Sequence, residues 1–478
     1  MTETKKTVPL CVDLDGTLVK TDTFVQALFL LLRTRPAVLL LFPRWMKGGL
    51  AAFKRRVAHE VQLDWSALPY HLEFLSFLKS EYAGGRELIL ATASDASIAR
   101  AIAEHLGIFS DVMASDGEAN LKSKNKRDAL IARFGEKNFD YAGNSAADLP
   151  VWSAAKNIIA VNPSSAVRRA LKKTPAQIFE NRPPLIKRWL RALRVRQWIK
   201  NILVFVPMIL AHRLIEPSLY VKAVLTFFAF SMTASAIYIY NDLFDMHADQ
   251  HHPRKKFRPF AAGDLDAAPA FGAFVILLLG AFGISIALSP ALVFVLAIYL
   301  VTNVCYSWRV KQLALLDVMT LAVLYVLRIF AGTAAYHVET SPWLIAFSTF
   351  LFFSLALIKR YAELREATDA AAGVIEIRGR GYCAADLPLL EAFGAGSAAA
   401  AVLVLMLYIN SEKVLEFYSN PAALWLLCPL FFYWIARLWL LAGRGELSDD
   451  PLEFAVRDFQ TWIVAALSAA VIIFGSLT

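Results

Sequence analysis

The segment Asn241–Gly263 reads NDLFDMHADQHHPRKKFRPFAAG and follows directly on a long apolar run. Its aspartates Asp242, Asp245 and Asp249 are spaced by three and then four residues, which would place their carboxylates on one face of a helix. Neighbouring carboxylates repel one another unless a cation neutralises them, and Mg²⁺ prefers oxygen ligands. We therefore interpret the three aspartates as a Mg²⁺ site at a membrane surface.

A cluster of cations follows the third aspartate and contains Arg254, Lys255, Lys256 and Arg258. Fixed cations beside metal-binding carboxylates are typical of a site for an anionic, phosphorylated substrate. The plainer alternative is a charged loop that marks the end of a membrane helix, but such a loop does not require helically phased acids.

Composition indicates a membrane protein with more than one domain. The chain has 478 residues, of which 57% are hydrophobic, and a formal net charge of +9. In a membrane protein a positive charge first indicates cytosolic loops that face anionic lipid. We expect no nucleic-acid partner, because the chain lacks interleaved aromatic and basic residues.

About nine apolar segments approach the length needed to span a bilayer. Their approximate extents are 199–216, 219–240, 268–287, 290–307, 313–336, 342–361, 389–410, 421–442 and 457–477. Arg and Lys residues concentrate in the loops after the even-numbered segments, so these loops, the acidic motif and the N-terminal region are expected on the cytosolic side of the inner membrane. A transporter or an inert scaffold is a weaker alternative, because the ionisable residues lie mostly at helix ends rather than near the midplane.

The N-terminal third predicts an α/β domain. Short apolar runs that alternate with helical stretches indicate a parallel, Rossmann-type sheet, with strands at Val8–Asp13, Glu87–Thr92, Asp111–Ala114, Phe139–Ala142 and Asn157–Val161. Residues 19–85 predict a helical cap. We expect the α/β domain to cover residues 1–175, a linker and a basic interfacial helix to cover 176–198, and an all-α polytopic membrane domain to cover 199–478.

The motif Asn241-Asp242-x-x-Asp245-x-x-x-Asp249 resembles the first acidic motif of the UbiA superfamily of membrane prenyltransferases. Its continuation, His-Pro-x-Lys-x-Phe-Arg-Pro-x-Ala-Ala-Gly, resembles the decaprenyl-phosphate phosphoribosyltransferase branch. The resemblance runs from about Arg194 to the C-terminus. It implies a UbiA-like fold and Mg²⁺-dependent transfer of 5-phosphoribose from phosphoribosyl diphosphate to a polyprenyl phosphate, a reaction that supplies cell-wall polysaccharide precursors.

The same resemblance implies site residues for this transfer. Asp242, Asp245 and Asp249 would hold Mg²⁺ and the leaving diphosphate, and Asn241 would support them. Lys255, Lys256 and Arg258 would bind phosphate groups. Further candidate substrate contacts, for which a role as membrane anchors is the alternative, are Lys200, Tyr306, Lys311, Asp317, Arg328, Lys359 and Arg360.

A rival reaction uses the same acidic motif. A prenyltransferase would move an isoprenyl chain from a polyprenyl diphosphate, another diphosphate donor, to an aromatic acceptor. Such enzymes carry a second acidic cluster, whereas this chain has Asp317 alone in the corresponding region. The sequence after the first motif favours phosphoribose. An oligomer is compatible with either reaction.

The pentapeptide Asp13-Leu-Asp15-Gly-Thr at a predicted strand end resembles the haloacid dehalogenase (HAD) phosphatase superfamily. The resemblance implies that Asp13 is a nucleophile, Asp15 an acid and base, Thr92 a phosphate-binding hydroxyl and Lys126 a phosphate-neutralising cation. It also implies a Mg²⁺ ligand set of Asp13, Asp15, Asn144 and Asp148. The family usually has Asp at the position of Asn144, so an inactive or regulatory domain is the alternative to a phosphatase that acts on the transfer product.

Overall fold

The computed structural model describes residues 8–115, 121–172, 174–210, 216–339, 341–370, 380–447 and 450–476. The chain forms two compact units. The first unit contains Met1–Leu193 and Tyr238–Phe274, and the second contains Arg194–Ile237 and Val275–Thr478. The acidic motif therefore groups with the N-terminal residues, whereas the boundaries expected from sequence assigned it to the membrane domain.

A six-stranded parallel sheet forms the core of the first unit. Its strands are β1 Leu10–Val12, β2 Leu88–Asp95, β3 Asp111–Ser115, β4 Asp140–Gly143, β5 Ile158–Val161 and β6 Ala176–Phe179. Their spatial order is β3-β2-β1-β4-β5-β6, and all neighbours pair in parallel. The order reverses direction between β1 and β4, so side chains that follow these two strands meet at one edge of the sheet, where open α/β sheets bind their ligands.

The Rossmann-type parallel sheet is confirmed, and its first five strands lie where the sequence predicts them. The sixth strand was not expected, because Ala176–Phe179 falls in the predicted linker. It is an edge strand whose residues Gln177 and Ile178 are exposed, so it lacks the continuous apolar run that identified the other strands. The α/β fold thus extends past residue 175.

Nine α-helices lie in the described residues before Arg194. They are α1 Thr23–Thr34, α2 Phe42–Met46, α3 Gly49–Glu60, α4 Leu72–Ala83, α5 Ala96–Leu106, α6 Lys124–Phe134, α7 Leu149–Ala154, α8 Ser165–Ala170 and α9 Leu185–Ala192. The helices α1 to α4 lie between β1 and β2, as predicted for a cap. Buried residues such as Leu31, Phe53 and Val57 form the core of this cap.

The remaining helices are α10 Val206–Leu210, α11 Pro217–Phe244, α12 Met246–Gln250, α13 Ala267–Leu288, α14 Pro290–Trp308, α15 Leu316–Tyr336, α16 Pro342–Ala370, α17 Leu387–Ile409, α18 Glu412–Phe417, α19 Leu427–Arg444, α20 Pro451–Arg457 and α21 Phe459–Ser476. Within the described ranges, eight segments are long and apolar enough to cross a membrane, or up to nine if a bent helix pair in the cap counts as one span. The expected polytopic helical architecture is confirmed.

The first predicted span, 199–216, is not a long helix in the part of the chain that the structure describes. A 3₁₀ helix, Val195–Phe205, leads into the five-residue helix α10, and residues 211–215 lie outside the described residues. The predicted basic interfacial helix ends at Ala192, because Arg194 adopts a left-handed conformation with φ of 48°. Apolar composition identified this region, but composition does not report where the backbone turns.

Candidate active sites

The carboxylate of Asp13 lies at the carboxyl end of β1 in a buried chain of polar groups. Lys126 Nζ donates a hydrogen bond of 2.7 Å to Asp13 Oδ1 and another of 2.9 Å to the hydroxyl of Tyr141. The Tyr141 hydroxyl in turn donates to Asp148 Oδ1 at 2.9 Å. The structure therefore brings together Asp13, Lys126 and Asp148, as the sequence predicts, and adds Tyr141 between the last two.

Asp15 is held in a defined orientation beside Asp13. Its Oδ1 accepts a hydrogen bond of 2.8 Å from the backbone of Thr23, and its Oδ2 accepts one from the Ser94 hydroxyl. Ser94 was not predicted, although it follows Thr92 by two residues in β2 and therefore points to the same face of the strand. Thr92 Oγ1 accepts a hydrogen bond of 3.0 Å from the Ser94 backbone.

The electrostatic environment raises the pKa values of both carboxyl groups. Burial raises the pKa of Asp13 to about 7 against the lowering effect of Lys126, and the nearby Asp148 adds to the rise. Burial together with the negative charge of Asp22 raises the pKa of Asp15 to about 6. A carboxyl group with a pKa near neutrality can both release and accept a proton, which is what general acid and base catalysis requires.

Asp148 is committed to hydrogen bonds within the protein. Its Oδ2 accepts from the backbone N–H groups of Asn144 at 3.0 Å and Ser145 at 2.9 Å, and its Oδ1 accepts from Tyr141. Within the described residues, Asp13, Asp15 and Asp148 do not form a cluster of three that could hold a metal ion, which differs from the predicted ligand set. Asn144 lies directly over Gly16, where a Cβ would overlap the Asn144 amide. Asp13, Asp15 and Asn144 offer oxygen atoms of the kind that Mg²⁺ prefers, and both Asp15 oxygens also accept hydrogen bonds from Thr23 and Ser94.

These residues line a cavity of about 360 Å³. Asp13, Asp15, Thr92, Lys126 and Asn144 contribute to its floor. The cap contributes Gln26 and Lys54, and Lys20 comes from the loop after β1. The acidic motif also lines the cavity through Met246, and the segment that follows the motif does so through Phe260, Leu265 and Asp266.

Gly263, the last residue of the Ala261-Ala262-Gly263 triplet, packs on the loop that contains Lys20 and Thr21. Its φ is 71°, and a Cβ at this position would overlap the Lys20 Cβ and lie 3.2 Å from Thr21 Cγ2. A residue without a side chain is therefore required both by the backbone conformation and by the close approach of Lys20 and Thr21.

Gly263→Ala is accordingly expected to lower the free energy of unfolding of the first unit by at least about 1–2 kcal/mol, the cost of left-handed backbone for a residue with a Cβ. Denaturant or thermal unfolding of the detergent-solubilised protein measures this change. The control is Gly272→Ala, since Gly272 lies in α13 with nothing within 4 Å of a built Cβ. Equal stabilities of the two variants would contradict the tight packing at Gly263.

The acidic motif spans the junction of two helices. The helix α11 ends at Phe244 and α12 begins at Met246, so Asp245 stands between them. Asp242 and Asp249 are buried, and Arg258 Nη1 donates to Asp242 Oδ1 at 3.2 Å and to Asp249 Oδ2 at 2.7 Å. Two buried carboxylates thus share one cation.

The expected cluster of three carboxylates is not assembled. Asp245 forms an ion pair with Arg33 of α1. Among the residues that the structure describes, no group of three or more His, Cys, Asp or Glu side chains could hold a metal ion. The backbone stays helical through Asp245, whose N–H donates to the Asn241 carbonyl at 2.8 Å and whose carbonyl accepts from the Asp249 N–H at 2.8 Å. The helical spacing assumed from sequence is therefore kept, but the carboxylates are paired with Arg33 and Arg258.

Arg258→Ala should leave Asp242 and Asp249 without this counter-ion. Removing one partner of a buried ionic contact leaves an uncompensated charge and costs about 1–3 kcal/mol or more. We expect a lower unfolding temperature in Mg²⁺-free buffer and a larger rise on adding Mg²⁺ than in the wild type. Lys256→Ala is the control, because Lys256 is exposed and its ammonium lies over the ring of Phe257. A Mg²⁺ response equal to that of the wild type would argue against a cation site here.

The second unit contains a buried ionic network around Asp317. Arg360 Nη2 lies 2.8 Å from Asp317 Oδ2, and the Tyr382 hydroxyl donates to Asp317 Oδ1 at 2.5 Å. Arg360 also pairs with Glu363 and is fully buried. Asp317 and Arg360 were expected to contact substrate. In the structure both are buried and they pair with each other. Tyr306 accepts a 2.9 Å hydrogen bond from Arg380 at the edge of this network.

Two predicted phosphate contacts, Lys200 and Lys359, share one acid. Lys200 Nζ lies 2.7 Å and Lys359 Nζ lies 3.0 Å from Asp450 Oδ2. Burial of Asp450 opposes its ionisation, but the two ammonium groups outweigh burial and hold the pKa of this carboxyl far below its usual range. No role was predicted for Asp450, because Lys200, Lys359 and Asp450 are far apart in the chain.

Arg328 lies in an aromatic cage. Its guanidinium carbon is 5.1 to 5.5 Å from the ring centres of Phe230, Tyr299 and Tyr325, and its Nε donates to Asn201 Oδ1 at 2.9 Å. No carboxylate pairs with this buried guanidinium within the described residues. A buried cation without an acid is an environment that can attract an anion.

The other predicted residues are less enclosed. Lys255 and Lys256 are exposed, and Asn241 and Lys311 are half-buried.

The second unit also contains an apolar cavity of about 510 Å³, lined among others by Val206, Ile329, Phe347, Leu405 and Phe431. A cavity with this lining suits a hydrocarbon chain.

Comparison with known proteins identifies relatives of both regions. The UbiA prenyltransferase family matches residues 202–475. "Uncharacterized protein y4nM" of Sinorhizobium fredii is 38% identical over 468 residues, which are 97% of this chain and 90% of the relative. Decaprenyl-phosphate phosphoribosyltransferase of Mycobacterium tuberculosis is 30% identical over 283 residues, 58% of this chain and 90% of the relative. A HAD family hydrolase from Salmonella enterica, at 16% identity and a TM-score of 0.26, covers 34% of this chain and 66% of its own.

Proposed function

The chain belongs to the UbiA prenyltransferase family, and from this premise we propose that it transfers 5-phosphoribose from phosphoribosyl diphosphate to a polyprenyl phosphate. It is a multi-pass membrane protein with a HAD-like N-terminal domain. The observation that carries the proposal is the pair of buried carboxylates, Asp242 and Asp249, beside the cation Arg258. The relation to a decaprenyl-phosphate phosphoribosyltransferase supports this donor and acceptor.

The acidic motif is proposed as the donor site. Asp242 and Asp249, with Asp245 once it is released from Arg33, would hold Mg²⁺, which supplies positive charge for the leaving diphosphate. Asn241 supports this shell. Arg258 binds a phosphate group through charge-assisted hydrogen bonds, and the exposed Lys255 and Lys256 contribute further positive charge.

The transfer step needs no protein nucleophile. An oxygen of the lipid phosphate forms a bond to C1 of the ribose while the bond between C1 and the diphosphate oxygen breaks. The bonding electrons leave with the diphosphate, so the reaction balances without an added acid. The protein contributes by positioning the two substrates and by stabilising the charge that develops on the leaving group.

The second unit is proposed to bind the lipid. Its apolar cavity of about 510 Å³ accommodates part of the polyprenyl chain. Arg328, whose guanidinium has aromatic neighbours and an amide partner rather than a carboxylate, attracts an anionic group. Lys200, Lys359, Lys311 and Tyr306 are retained as weaker candidates, since the first two are already paired with Asp450.

The HAD-like domain is proposed to hydrolyse the 5-phosphate of the transfer product. Asp13 attacks phosphorus and the ester bond to the ribose oxygen breaks, while Asp15 donates a proton to that oxygen. Asp15 then takes a proton from the water that hydrolyses the aspartyl phosphate, which releases inorganic phosphate and lipid-phosphoryl ribose. The ion pair between Asp13 and Lys126 and the fixed orientation of Asp15 support these roles. Asp148 is proposed to orient Tyr141 and Lys126.

Both reactions are proposed to occur on the cytosolic face of the inner membrane, where phosphoribosyl diphosphate is available. The concentration of positively charged loops after the even-numbered predicted spans supports this orientation. Joining two sites in one chain raises the effective concentration of the second site for a product that stays in the membrane.

A comparison of two donor and acceptor pairs distinguishes this proposal from prenyl transfer. Purified full-length protein is incubated with Mg²⁺ and either phosphoribosyl diphosphate with polyprenyl phosphate or polyprenyl diphosphate with 4-hydroxybenzoate. We expect release of diphosphate only with the first pair and none after addition of EDTA. Turnover of the second pair alone would instead identify an aromatic prenyltransferase.

A further inference from the structure

Gln26 is a buried polar residue of the cap that the phosphatase chemistry does not use. It lies in α1, is 2% exposed and lines the cavity that contains Asp13. Its Nε2 donates a hydrogen bond to the hydroxyl of Thr21, which lines the same cavity. Its Oε1 has no hydrogen-bond partner among the residues that the structure describes. Buried amide oxygens are almost always hydrogen-bonded to protein or to ordered water, so this atom is open to a donor from water or from a ligand.

The other groups in the cavity restrict what that donor can be. A phosphate ester bound at Asp13 and Lys126 presents phosphate oxygens that only accept hydrogen bonds when fully ionised. The rest of the lining carries charges of both signs, Lys20 and Lys54 on one hand and Asp22 and Asp266 on the other, so it selects neither a cationic nor an anionic donor. A hydroxyl group is the neutral donor that satisfies Gln26 Oε1 in this setting.

We propose that Gln26 is a specificity-determining residue that accepts a hydrogen bond from a sugar hydroxyl of the phosphate ester. The substrate class is therefore a sugar phosphomonoester, which includes the lipid-phosphoryl ribose 5-phosphate of the proposed transfer. This inference rests on the proposed phosphatase activity and adds the recognition of the sugar to it.

The segment after the acidic motif encloses the same cavity. Phe260 and Leu265 are buried and line it, and Gly263 packs against Lys20 and Thr21. Thr21 in turn bonds Gln26. The orientation of the Gln26 amide is thus fixed by contacts on both sides of the cavity, which is the condition for a hydrogen bond that discriminates between ligands.

The test uses the purified full-length protein with Mg²⁺ and four soluble phosphate esters. These are ribose 5-phosphate, its 2-deoxy and 3-deoxy analogues, and p-nitrophenyl phosphate, which has no hydroxyl group. The wild type is expected to lose about tenfold in kcat/KM on at least one deoxy analogue, the effect of one hydrogen bond with a buried partner. For Gln26→Leu we compare kcat/KM for ribose 5-phosphate with kcat/KM for p-nitrophenyl phosphate. Their ratio is expected to fall about tenfold, mainly because KM for ribose 5-phosphate rises. The variant should also hydrolyse the three sugar esters with equal kcat/KM.

Two further variants keep the result interpretable. Gln62→Leu makes the same change at an exposed glutamine of the cap and should retain the wild-type ratio. Gln26→Asn keeps an amide but shortens its reach, so it should discriminate as poorly as Gln26→Leu even if the leucine variant folds badly.

The experiment distinguishes failure of the Gln26 proposal from failure of the phosphatase proposal. If the wild type hydrolyses p-nitrophenyl phosphate and Gln26→Leu and Gln26→Asn both keep the wild-type preference for ribose 5-phosphate, sugar recognition by Gln26 is wrong and the phosphatase remains. If the wild type hydrolyses none of the four esters, the proposed phosphatase activity fails, and the inference about Gln26 fails with it.

Discussion

Asp249→Asn protein is expected to form lipid-linked phosphoribose at least about a hundredfold more slowly than the wild type. Asp249 is buried and shares Arg258 with Asp242, so both carboxylates contribute to the proposed Mg²⁺–diphosphate site. Charge stabilisation by a metal is worth several kcal/mol in a transition state, and each 1.4 kcal/mol is about tenfold in rate. The measurement is the initial rate of labelled lipid formation from labelled phosphoribosyl diphosphate, with folding checked by thermal unfolding.

The structure also predicts an order of effects within the motif. Asp242→Asn should be as severe as Asp249→Asn, whereas Asp245→Asn should be milder, because Asp245 is paired with Arg33 rather than with Arg258. Asp64→Asn is the control, since it removes a carboxylate in the same unit that is exposed and bonded to His251. An Asp249→Asn enzyme with near-normal turnover would exclude the acidic motif as the diphosphate site.

Asp13→Asn protein is expected to stop at the phosphorylated lipid product. Loss of a catalytic nucleophile removes the covalent route, which should reduce hydrolysis at least about a thousandfold. After incubation with both transfer substrates, mass spectrometry of the extracted lipid should show lipid-phosphoryl ribose from the wild type. The variant should yield the same species heavier by one phosphate group, while its rate of transfer stays normal.

The control for this variant is Asp95→Asn. Asp95 caps α5 through a 2.9 Å hydrogen bond from the Ser97 backbone, and asparagine caps helices equally well. This control should therefore give the wild-type product. If Asp13→Asn and the wild type yield the same lipid, the HAD-like domain does not act on the transfer product.

The parts of both sites that could be predicted from sequence are those that follow local rules. Asp13 and Asp15 come directly after a buried strand, and the strand order places them beside Asn144, which follows β4. The membrane helices α11, α13 to α17, α19 and α21 could also be predicted, because length and apolar composition suffice to identify them.

Long-range pairing is what the sequence did not reveal. Asp317 and Arg360 read as separate substrate contacts, yet they form a buried ion pair with each other. Asp245 has the spacing of a metal ligand, but a residue of the cap, Arg33, lies against it. Each partner is more than forty positions away in the chain, so no periodicity or motif indicates the contact.

The roles of the cavity residues Gln26 and Gly263 could not be predicted from sequence either. Gln26 sits in an apolar stretch of the cap and matches no catalytic motif, and only its burial beside Asp13 and Lys126 distinguishes it. Gly263 ends the motif that follows the acidic cluster, but its packing partners are Lys20 and Thr21 in the HAD-like domain. Structure is needed to place the two motifs in one unit.

The most direct test of the account is the transfer reaction itself. Purified full-length protein in polyprenyl-phosphate-containing detergent micelles receives phosphoribosyl diphosphate labelled in the ribose, with Mg²⁺ or with EDTA. We predict that Mg²⁺ moves the label into the organic extract with release of one diphosphate per lipid, and that EDTA prevents it. Label that stays in the aqueous phase in the presence of Mg²⁺ would contradict phosphoribosyl transfer as the function of this chain.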